Sequence, residues 1–280
     1  MKAPHLEKIC PQIRRDIVRM VHAVQSGHPG GSLGCVEFFV ALFFKIMNHK
    51  KDFRMDGINE DLFFLSNGHI SPVLYSTLAR SGYFETNELN TFRHIDSRLQ
   101  GHPATKEKLP GIRIASGSLG QGLSVAIGAC ISKKLNNDPK LVYCLCGDGE
   151  LQEGQIWEAL MYASAKKVDN LIMTIDLNKQ QICGSTEEIL SLGDLNKKIT
   201  SFGWKLIEIQ NGNEIESVVK GLKNAIDLTN KSHPVCILLN TQMGYGVDFM
   251  MGSHKWHGIA PNDEQLKLAL NQLEETLGDF

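Results

Sequence analysis

The alternation of apolar and polar segments is clearest in the middle of the chain, where it predicts two neighbouring strands. Residues 141–146 and 171–175 are short apolar runs, and polar turns stop them at 147–149 and at 176–178. Runs of this length and composition are typical of strands that are buried on both faces. We therefore predict two buried strands that each end at a polar turn.

The segment between these runs predicts a helix. Its apolar residues recur at helical spacing, at Ile156, Trp157, Leu160 and Ala163. A strand, a helix and a strand in this order make the two strands parallel, and ligands bind where such strands end. Asp148 and Asn178, thirty residues apart, therefore meet at one edge of the predicted sheet.

The remaining pattern extends this unit to a whole domain. Further strands are predicted at 204–209 and 234–239, and further helices after the loop 117–122 to about 135, at 214–228 and at 262–277, the last with an Asn as N-cap. Parallel strands alternating with helices predict an α/β fold with a doubly wound, mostly parallel sheet and helices on both faces. No Pro-, Gly- or Ser-rich linker divides the chain, so we predict a single domain over residues 1–280.

The sheet edge at Asp148 and Asn178 offers oxygen ligands for a cation. A carboxylate, an amide oxygen and nearby backbone carbonyls suit Mg²⁺ or Ca²⁺. An Mg²⁺ ion held by so few protein oxygens usually completes its shell with phosphates and water, which favours a diphosphate cofactor. The alternative is an ordinary Gly-Asp turn at 147–149, with Asn178 as a strand cap.

Gly-Asp-Gly followed by a helix and an Asn resembles the thiamine-diphosphate motif. Four more segments resemble transketolase signatures in wording and in order: SGHPGGSLG at 26–34, LSNGHISPVLY at 65–75, QGHPATKEKLPGIRIASGSLGQGLSVAIG at 100–128 and KWHGIAP at 255–261. Together with the motif they cover nearly the whole chain. The chain thus resembles the diphosphate-binding part of transketolase, which implies the thiamine-diphosphate-binding fold.

The resemblance implies a role for each residue of the site. The cofactor would be contacted by His69, Gly117, Leu119, Gly147, Asp148, Gly149 and Asn178, and its metal by Asp148, Asn178 and the backbone carbonyl of Gln180. The catalytic residues would be His28, His102 and His257, which line the substrate channel, and Glu153, which communicates between active sites across the dimer. Imidazole suits the proton transfers that sugar hydroxyls require near neutral pH. His254 has no such support and is interpreted as a solvated loop residue.

The loop 117–122 carries three glycines ahead of the helix predicted to run to about 135. Glycine-rich loops at a helix start present N–H groups to phosphate, although the pattern alone also fits a tight packing turn. The resemblance implies that this loop lies against the cofactor. Ser118 stands where many relatives carry proline, and Leu177 departs from the doubled Asn of the wider motif.

The resemblance also implies a partner chain. Single-chain transketolases continue into a pyrimidine-binding domain, whose glutamate hydrogen-bonds the aminopyrimidine of the cofactor, and no residue here matches that glutamate. We therefore expect the N-terminal subunit of a split transketolase, paired with a C-terminal subunit that carries the pyrimidine-binding domain, in a heterotetramer. Such an enzyme transfers a two-carbon ketol unit from a ketose to an aldose, free or phosphorylated, in carbohydrate and pentose phosphate metabolism.

Two other functions stay open at this point. One is the corresponding subunit of a related thiamine-diphosphate enzyme, such as a deoxyxylulose-phosphate-type synthase that decarboxylates pyruvate. The Gly-His-Pro contexts of His28 and His102 favour transketolase over this alternative. The other is a non-catalytic protein that binds the cofactor.

Charge and cysteine content narrow the class of protein further. The formal net charge is −2 and the basic residues are scattered, so neither nucleic acid nor a membrane is expected as a partner. The apolar run at 35–47 is too short to span a bilayer. Seven dispersed cysteines, and a start without an apolar signal-peptide core, predict buried free thiols and a cytoplasmic location. The absence of a CxxC pair argues against a zinc site.

Overall fold

The fold is known from a computed structural model that describes residues 6–280. The helices in this range are α1 (Leu6–Ala23), α2 (Pro29–Gly34), α3 (Val36–Ala41), α4 (Ser71–Arg80), α5 (Gly122–Leu135), α6 (Gly154–Ala165), α7 (Thr186–Leu190), α8 (Leu195–Ser201), α9 (Ile215–Leu228) and α10 (Asp263–Gln272). The strands are β1 (Leu62–Leu65), β2 (Val142–Gly147), β3 (Leu171–Leu177), β4 (Gln180–Gln181), β5 (Gly184–Ser185), β6 (Lys205–Ile209) and β7 (Val235–Asn240). Short 3₁₀ and π-helical turns connect several of them.

Five of the strands form one sheet. Their spatial order is β1, β2, β3, β7, β6, and every neighbouring pair is parallel. β4 and β5 form a separate antiparallel hairpin. Because a parallel connection needs a long crossover, a helix lies between β2 and β3, as the sequence predicts. The predicted α/β class with a mostly parallel sheet is confirmed.

Both faces of the sheet are covered by buried apolar side chains. In β2, Tyr143 and Leu145 pack into a core with α1, α3 and α9, whereas Val142, Cys144 and Cys146 pack into a second core with α5, α6 and α8. Successive residues of a strand point to opposite faces. Burial on both sides therefore explains why this strand appears in the sequence as a continuous apolar run.

The predicted strands are present with slightly shifted ends. β2 begins one residue later than the apolar run, and β3 continues two residues beyond its run, to Leu177. Trp204, predicted as the first residue of a strand, precedes β6 instead. Its indole Nε1 donates to the backbone oxygen of Leu160 in α6 at 2.9 Å, so the side chain is held by packing between elements.

The last helix is shorter than predicted. Asn262 caps it as expected, since its side chain accepts from the backbone N–H of Gln265 at 2.9 Å. The helix nevertheless ends at Gln272 and does not reach 277. The N–H of Thr276 donates to Gln12 Oε1 of α1 at 3.0 Å, so contacts with α1 replace the helical hydrogen bonds.

The short strand β1 is not predicted by the sequence pattern. It has only four residues, all buried, and pairs with β2 from Leu62 with Val142 to Leu65 with Leu145. Because β1 lies beside β2, the segment that follows β1, which includes Asn67, reaches the edge of the sheet where Asp148 lies.

The cysteines agree with the expectation of buried free thiols in all but one case. All seven are free and six are buried, whereas Cys183 is exposed between β4 and β5. Within residues 6–280, no helix combines the length and the apolar character that crossing a bilayer requires.

Candidate active site

The candidate site lies at the edge of the sheet where β1, β2 and β3 end. A cavity of about 310 Å³ opens there. Its lining includes, of the residues predicted from sequence, His28, His69, Gly117, Leu119, Gly147, Asp148, Gly149, Glu153, Asn178, Gln180 and His257. Glu153 is the exposed N-cap residue of α6. His102 does not line the cavity, but its ring centroid is 6.2 Å from that of His28. The structure thus brings together every predicted residue.

Asp148 is a buried carboxylate without a positively charged partner. It is 2% exposed, and its oxygens accept from the backbone N–H groups of Gly149 at 2.7 Å and Lys179 at 2.5 Å. Burial, and then the nearby carboxylate of Asp176, raise the pKa of Asp148 to about 7. Neither aspartate forms a salt bridge with any residue in the described range. A cation would supply the missing charge.

The side chain of Asn178 is held in a fixed orientation. Its Nδ2 donates to Asp176 Oδ2 at 2.6 Å, and its Oδ1 accepts from the backbone N–H of Gln180 at 2.9 Å. Asp176 is itself fully buried and accepts a hydrogen bond from Thr241 Oγ1. Asp176 therefore fixes which way the amide of Asn178 is turned, although the sequence interpretation assigned Asp176 no role.

Four histidines from distant parts of the chain form one cluster. The ring centroid of His28 lies 5.1 Å from that of His69 and 5.6 Å from that of His257, and the rings of His69 and His257 are 5.1 Å apart. His102 completes the cluster at 6.2 Å from His28. The sequence interpretation separated His69, beside the cofactor, from the three histidines of the substrate channel. In the structure they form a continuous surface.

These imidazoles are neutral at pH 7. Burial, followed by His257, Arg93 and His102, lowers the pKa of His28 to about 4. Burial is also the main cause that lowers the pKa of His69, His102 and His257. A neutral imidazole has one nitrogen that accepts a proton and one that donates a hydrogen bond. The cluster can therefore take protons from hydroxyl groups and return them.

Gly117 allows the glycine-rich loop to pass close to the histidines. A Cβ atom at this position would lie 2.6 Å from Cδ2 of His102, and the backbone φ is +125°. Both features exclude a side chain. The loop leads into a helix, as predicted, and α5 begins at its last residue, Gly122. Besides Gly117, Leu119 is the residue of the loop that lines the cavity.

Glu150 is a residue of the cavity lining that the sequence interpretation missed. Its Oε1 accepts from Ser66 Oγ at 2.5 Å and from the N–H of Gly120 at 2.8 Å, and its Oε2 accepts from the N–H of Gly147 at 3.1 Å. One buried carboxylate thus joins the residue after β1, the glycine-rich loop and the last residue of β2. It lies in a 3₁₀ turn without periodicity, so an acidic residue directly after the Gly-Asp-Gly turn is its only sign in the sequence.

The site fits a polar, anionic cofactor with a metal ion. His28 Nδ1, Asn67 Oδ1 and Ser116 Oγ are buried and have no hydrogen-bond partner in the described residues, although such atoms are normally satisfied. All three lie on segments that surround the cavity, and each can bond a ligand. No group of three or more His, Cys, Asp or Glu side chains in residues 6–280 is placed to hold a metal. A cation here would depend on one carboxylate together with amide and backbone oxygens, as Mg²⁺ does when phosphates complete its shell.

The comparison with protein families shows to which family the chain belongs. The family model described as transketolase, thiamine diphosphate binding domain, matches residues 6–276. The chain belongs to the transketolase family. The predicted family, fold and thiamine diphosphate binding are thereby confirmed, while the roles of single residues stay predictions.

Individual transketolases show how much of an enzyme the chain represents. It is 40% identical to an apulose-4-phosphate transketolase subunit of Actinobacillus succinogenes, over 96% of each protein. It is 38% identical to a 6-deoxy-6-sulfo-D-fructose transketolase subunit of a Clostridium species, over 94% of each. The crystal structure of Campylobacter jejuni transketolase superposes with a TM-score of 0.88 at 33% identity. The chain covers only 43% of that protein, whereas it matches the two subunits over nearly their whole length.

Proposed function

We propose that this chain is the diphosphate-binding subunit of a two-chain transketolase, which moves a two-carbon ketol unit from a ketose to an aldose. The observation that carries the proposal is that two features lie side by side at one cavity. The uncompensated carboxylate of Asp148 suits a metal diphosphate, and the cluster of neutral histidines beside it suits sugar hydroxyls. We treat residues 1–280 as a single diphosphate-binding domain, which the match over residues 6–276 supports.

The residues around the cavity are suited to hold thiamine diphosphate and its metal. Asp148, the amide oxygen of Asn178 and the backbone carbonyl of Gln180 would hold Mg²⁺ or Ca²⁺. His69, Gly117 and Leu119 would contact the cofactor, as would the glycines on either side of Asp148, Gly147 and Gly149. When bound, thiamine diphosphate supplies the nucleophilic carbon that carries the two-carbon unit. Glu150 would keep the three segments that it joins in register around the diphosphate.

The histidines would bind the sugar and transfer protons to and from its hydroxyl groups. Because His28, His102 and His257 are neutral, each can accept a proton from a hydroxyl at the bond being broken and return it when the new bond forms. Their mutual distances let two of them contact adjacent hydroxyls of one open-chain sugar. Glu153 is exposed and lines the cavity, so it is accessible to a neighbouring chain and would connect active sites across an interface.

The names of the relatives support two further proposals, a partner chain and charged sugars as substrates. The Actinobacillus and Clostridium proteins are both named as parts of a transketolase, so we propose a second chain that carries the pyrimidine-binding domain, with two copies of each chain in the complex. One name refers to a sugar phosphate and the other to a sulfo sugar. We therefore propose anionic ketoses and aldoses as substrates. The free cysteines support a reducing compartment such as the cytoplasm.

The proposed reaction is tested with the chain and its partner together. The mixture, with thiamine diphosphate and Mg²⁺, is expected to transfer the ketol unit between at least one pair in a panel of ketose and aldose phosphates, as measured by coupled detection of the new ketose. Pyruvate serves as the control donor, because a deoxyxylulose-phosphate-type synthase would release carbon dioxide from it. Turnover of pyruvate without ketol transfer would reject the proposal in favour of that alternative.

Replacing the histidines is expected to impair sugar turnover while sparing cofactor affinity. His28→Ala, His102→Ala and His257→Ala should each lower kcat/KM by about 100-fold or more, the size of effect that loss of proton transfer produces. Steady-state kinetics of the complex and calorimetry with thiamine diphosphate separate the two properties. The matched control is His254→Ala, in the same 3₁₀ turn as His257 but outside the cavity lining. Wild-type kinetics in all four variants would contradict the assignment.

A further inference from the structure

Asp176 hydrogen-bonds to both residues whose side chains would hold the metal. Its backbone oxygen accepts from the N–H of Asp148 at 3.1 Å, where the ends of β2 and β3 pair. Its Oδ2 accepts from Asn178 Nδ2 at 2.6 Å. Asp176 itself belongs to β3, so a strand in the middle of the sheet fixes its position. The two proposed ligands thus share one rigid support, and the side chain of that support is a carboxylate.

The side chain of Asp176 points to a face of the sheet. Alternate residues of a strand share a face, and Ile172, four positions earlier, belongs to the core that α1 and α3 cover. Asp176 is 2% exposed in the cavity wall, and its Oδ1 accepts from Oγ1 of Thr241, the residue after β7. Asp148 and Asn178, in contrast, each follow the last residue of a strand. A cation at the sheet edge would therefore meet Asp148 and Asn178, with Asp176 further inside.

Asp176 and Asp148 are two buried carboxylates at the same edge of the sheet. Burial and, next in size, the charge of Asp176 raise the pKa of Asp148, an influence that charged groups exert at short range. Within residues 6–280, neither carboxylate has a cationic partner. Buried charges without a counter-charge are unfavourable. A divalent cation would neutralise both carboxylates, although it touches only one of them.

The surroundings of Asp176 allow its charge to be removed without loss of its side-chain hydrogen bonds. Oδ2 accepts from an amide nitrogen, whereas Oδ1 accepts from a hydroxyl group, which can also act as an acceptor. An asparagine at this position can therefore accept from Asn178 through its oxygen and donate to Thr241 through its nitrogen. Experiment can thus separate the charge of Asp176 from its hydrogen bonds.

We propose that Asp176 is a positioning residue of the cation site, which holds the amide of Asn178 and adds a second negative charge that strengthens binding of the divalent cation without touching it. This inference rests on the proposed function, since it concerns the metal of the same site. Replacing a group that supports metal ligands typically lowers metal affinity by roughly 10- to 100-fold. Loss of the charge alone should lie at the lower end of this range.

The test measures how thiamine diphosphate binding depends on Mg²⁺ in the assembled two-chain complex. Calorimetry is repeated at increasing Mg²⁺ concentrations with the wild type and with Asp176→Asn. The half-saturating Mg²⁺ concentration should rise about 10-fold in the variant. Without ligands, the variant should unfold at the same or a higher temperature, because it has lost an unpaired buried charge. Asp176→Leu, which also loses both side-chain hydrogen bonds, should raise the half-saturating concentration about 100-fold.

Asp61→Asn is the matched control, since Asp61 is also a buried carboxylate without a cationic partner in the described range. It precedes β1, at the opposite edge of the sheet. Its oxygens accept from the backbone N–H groups of Asn48 and Leu141, each at 2.8 Å. A backbone N–H cannot act as an acceptor, so the new amide nitrogen would face a donor and the unfolding temperature should fall. The Mg²⁺ dependence should stay at its wild-type value.

The outcomes separate this inference from a structural role and from the proposed function. An unchanged Mg²⁺ dependence in Asp176→Asn would overturn the inference, as would a lower unfolding temperature, which is the result expected for Asp61→Asn. Complete loss of Mg²⁺-dependent binding would make Asp176 a metal ligand and would also overturn it. If the wild-type complex transfers no ketol unit but Asp176→Asn weakens the effect of Mg²⁺ on cofactor binding, the proposed function fails and the inference stands.

Discussion

Alone, the purified chain is expected to show no ketol transfer at any concentration of thiamine diphosphate. The sheet edge with Asp148 and Asn178 is suited to the diphosphate end of the cofactor, and the chain represents only 43% of the length of a structurally similar transketolase. By resemblance, the glutamate that activates the aminopyrimidine belongs to the part of that transketolase that the chain does not cover. Activity should appear when a partner chain that carries the pyrimidine-binding domain is added.

The experiment is a titration of the chain with its candidate partner in a coupled ketol-transfer assay. Activity should rise with added partner and saturate at a fixed molar ratio, which also gives the stoichiometry. A partner variant in which alanine replaces the predicted glutamate is the matched control, since it should assemble without restoring activity. Turnover by the chain in isolation would show that the described cavity is sufficient and that the two-chain proposal is wrong.

Asp148→Ala is expected to abolish Mg²⁺-dependent binding of thiamine diphosphate by the complex. Asp148 is the only charged ligand in the proposed metal set, so its loss removes the anion that attracts the cation. Because the carboxylate has no cationic partner in residues 6–280, the substitution leaves no buried positive charge behind and the fold should persist. Calorimetry of cofactor binding with and without Mg²⁺, together with thermal unfolding, measures the two effects separately.

Gln180→Ala is the control for this substitution. Gln180 lines the same cavity, but its proposed contribution is a backbone carbonyl, which alanine retains. Cofactor affinity should therefore change far less than in Asp148→Ala. Undiminished affinity in Asp148→Ala would mean that the carboxylate does not hold the metal, and a comparable loss in both variants would indicate that the cavity has changed shape.

The elements that the sequence predicts well are those whose neighbours lie close along the chain. β2, α6 and β3 follow one another, and the burial of both sheet faces gives each strand a continuous apolar run. The sequence pattern does not predict β1, because four apolar residues do not distinguish a strand from any other buried segment. The sequence pattern also does not predict where α10 ends. That end depends on a hydrogen bond to Gln12, which is far away in the sequence.

The residues of the candidate site likewise fall into those that the local sequence marks and those that it does not. Asp148 and Asn178 are marked by the strand ends that precede them, and the histidines by the motifs around them. Nothing local marks Glu150 or Asp176, whose importance comes from the partners that surround them. Glu150 accepts from three separate segments, and Asp176 orients the side chain of Asn178.

The sequence by itself determined the family, through the resemblance of its motifs, and the parallel α/β class, and it predicted the edge of the sheet at which a ligand would bind. The class and the edge follow from local spacing, because periodicity and turn residues act over a few neighbouring positions. The tertiary structure alone decided that four histidines form one cluster and that Glu150 joins three separate segments. Such facts depend on which distant segments meet in a buried, poorly solvated place, where an unpaired charge or polar atom acquires its significance.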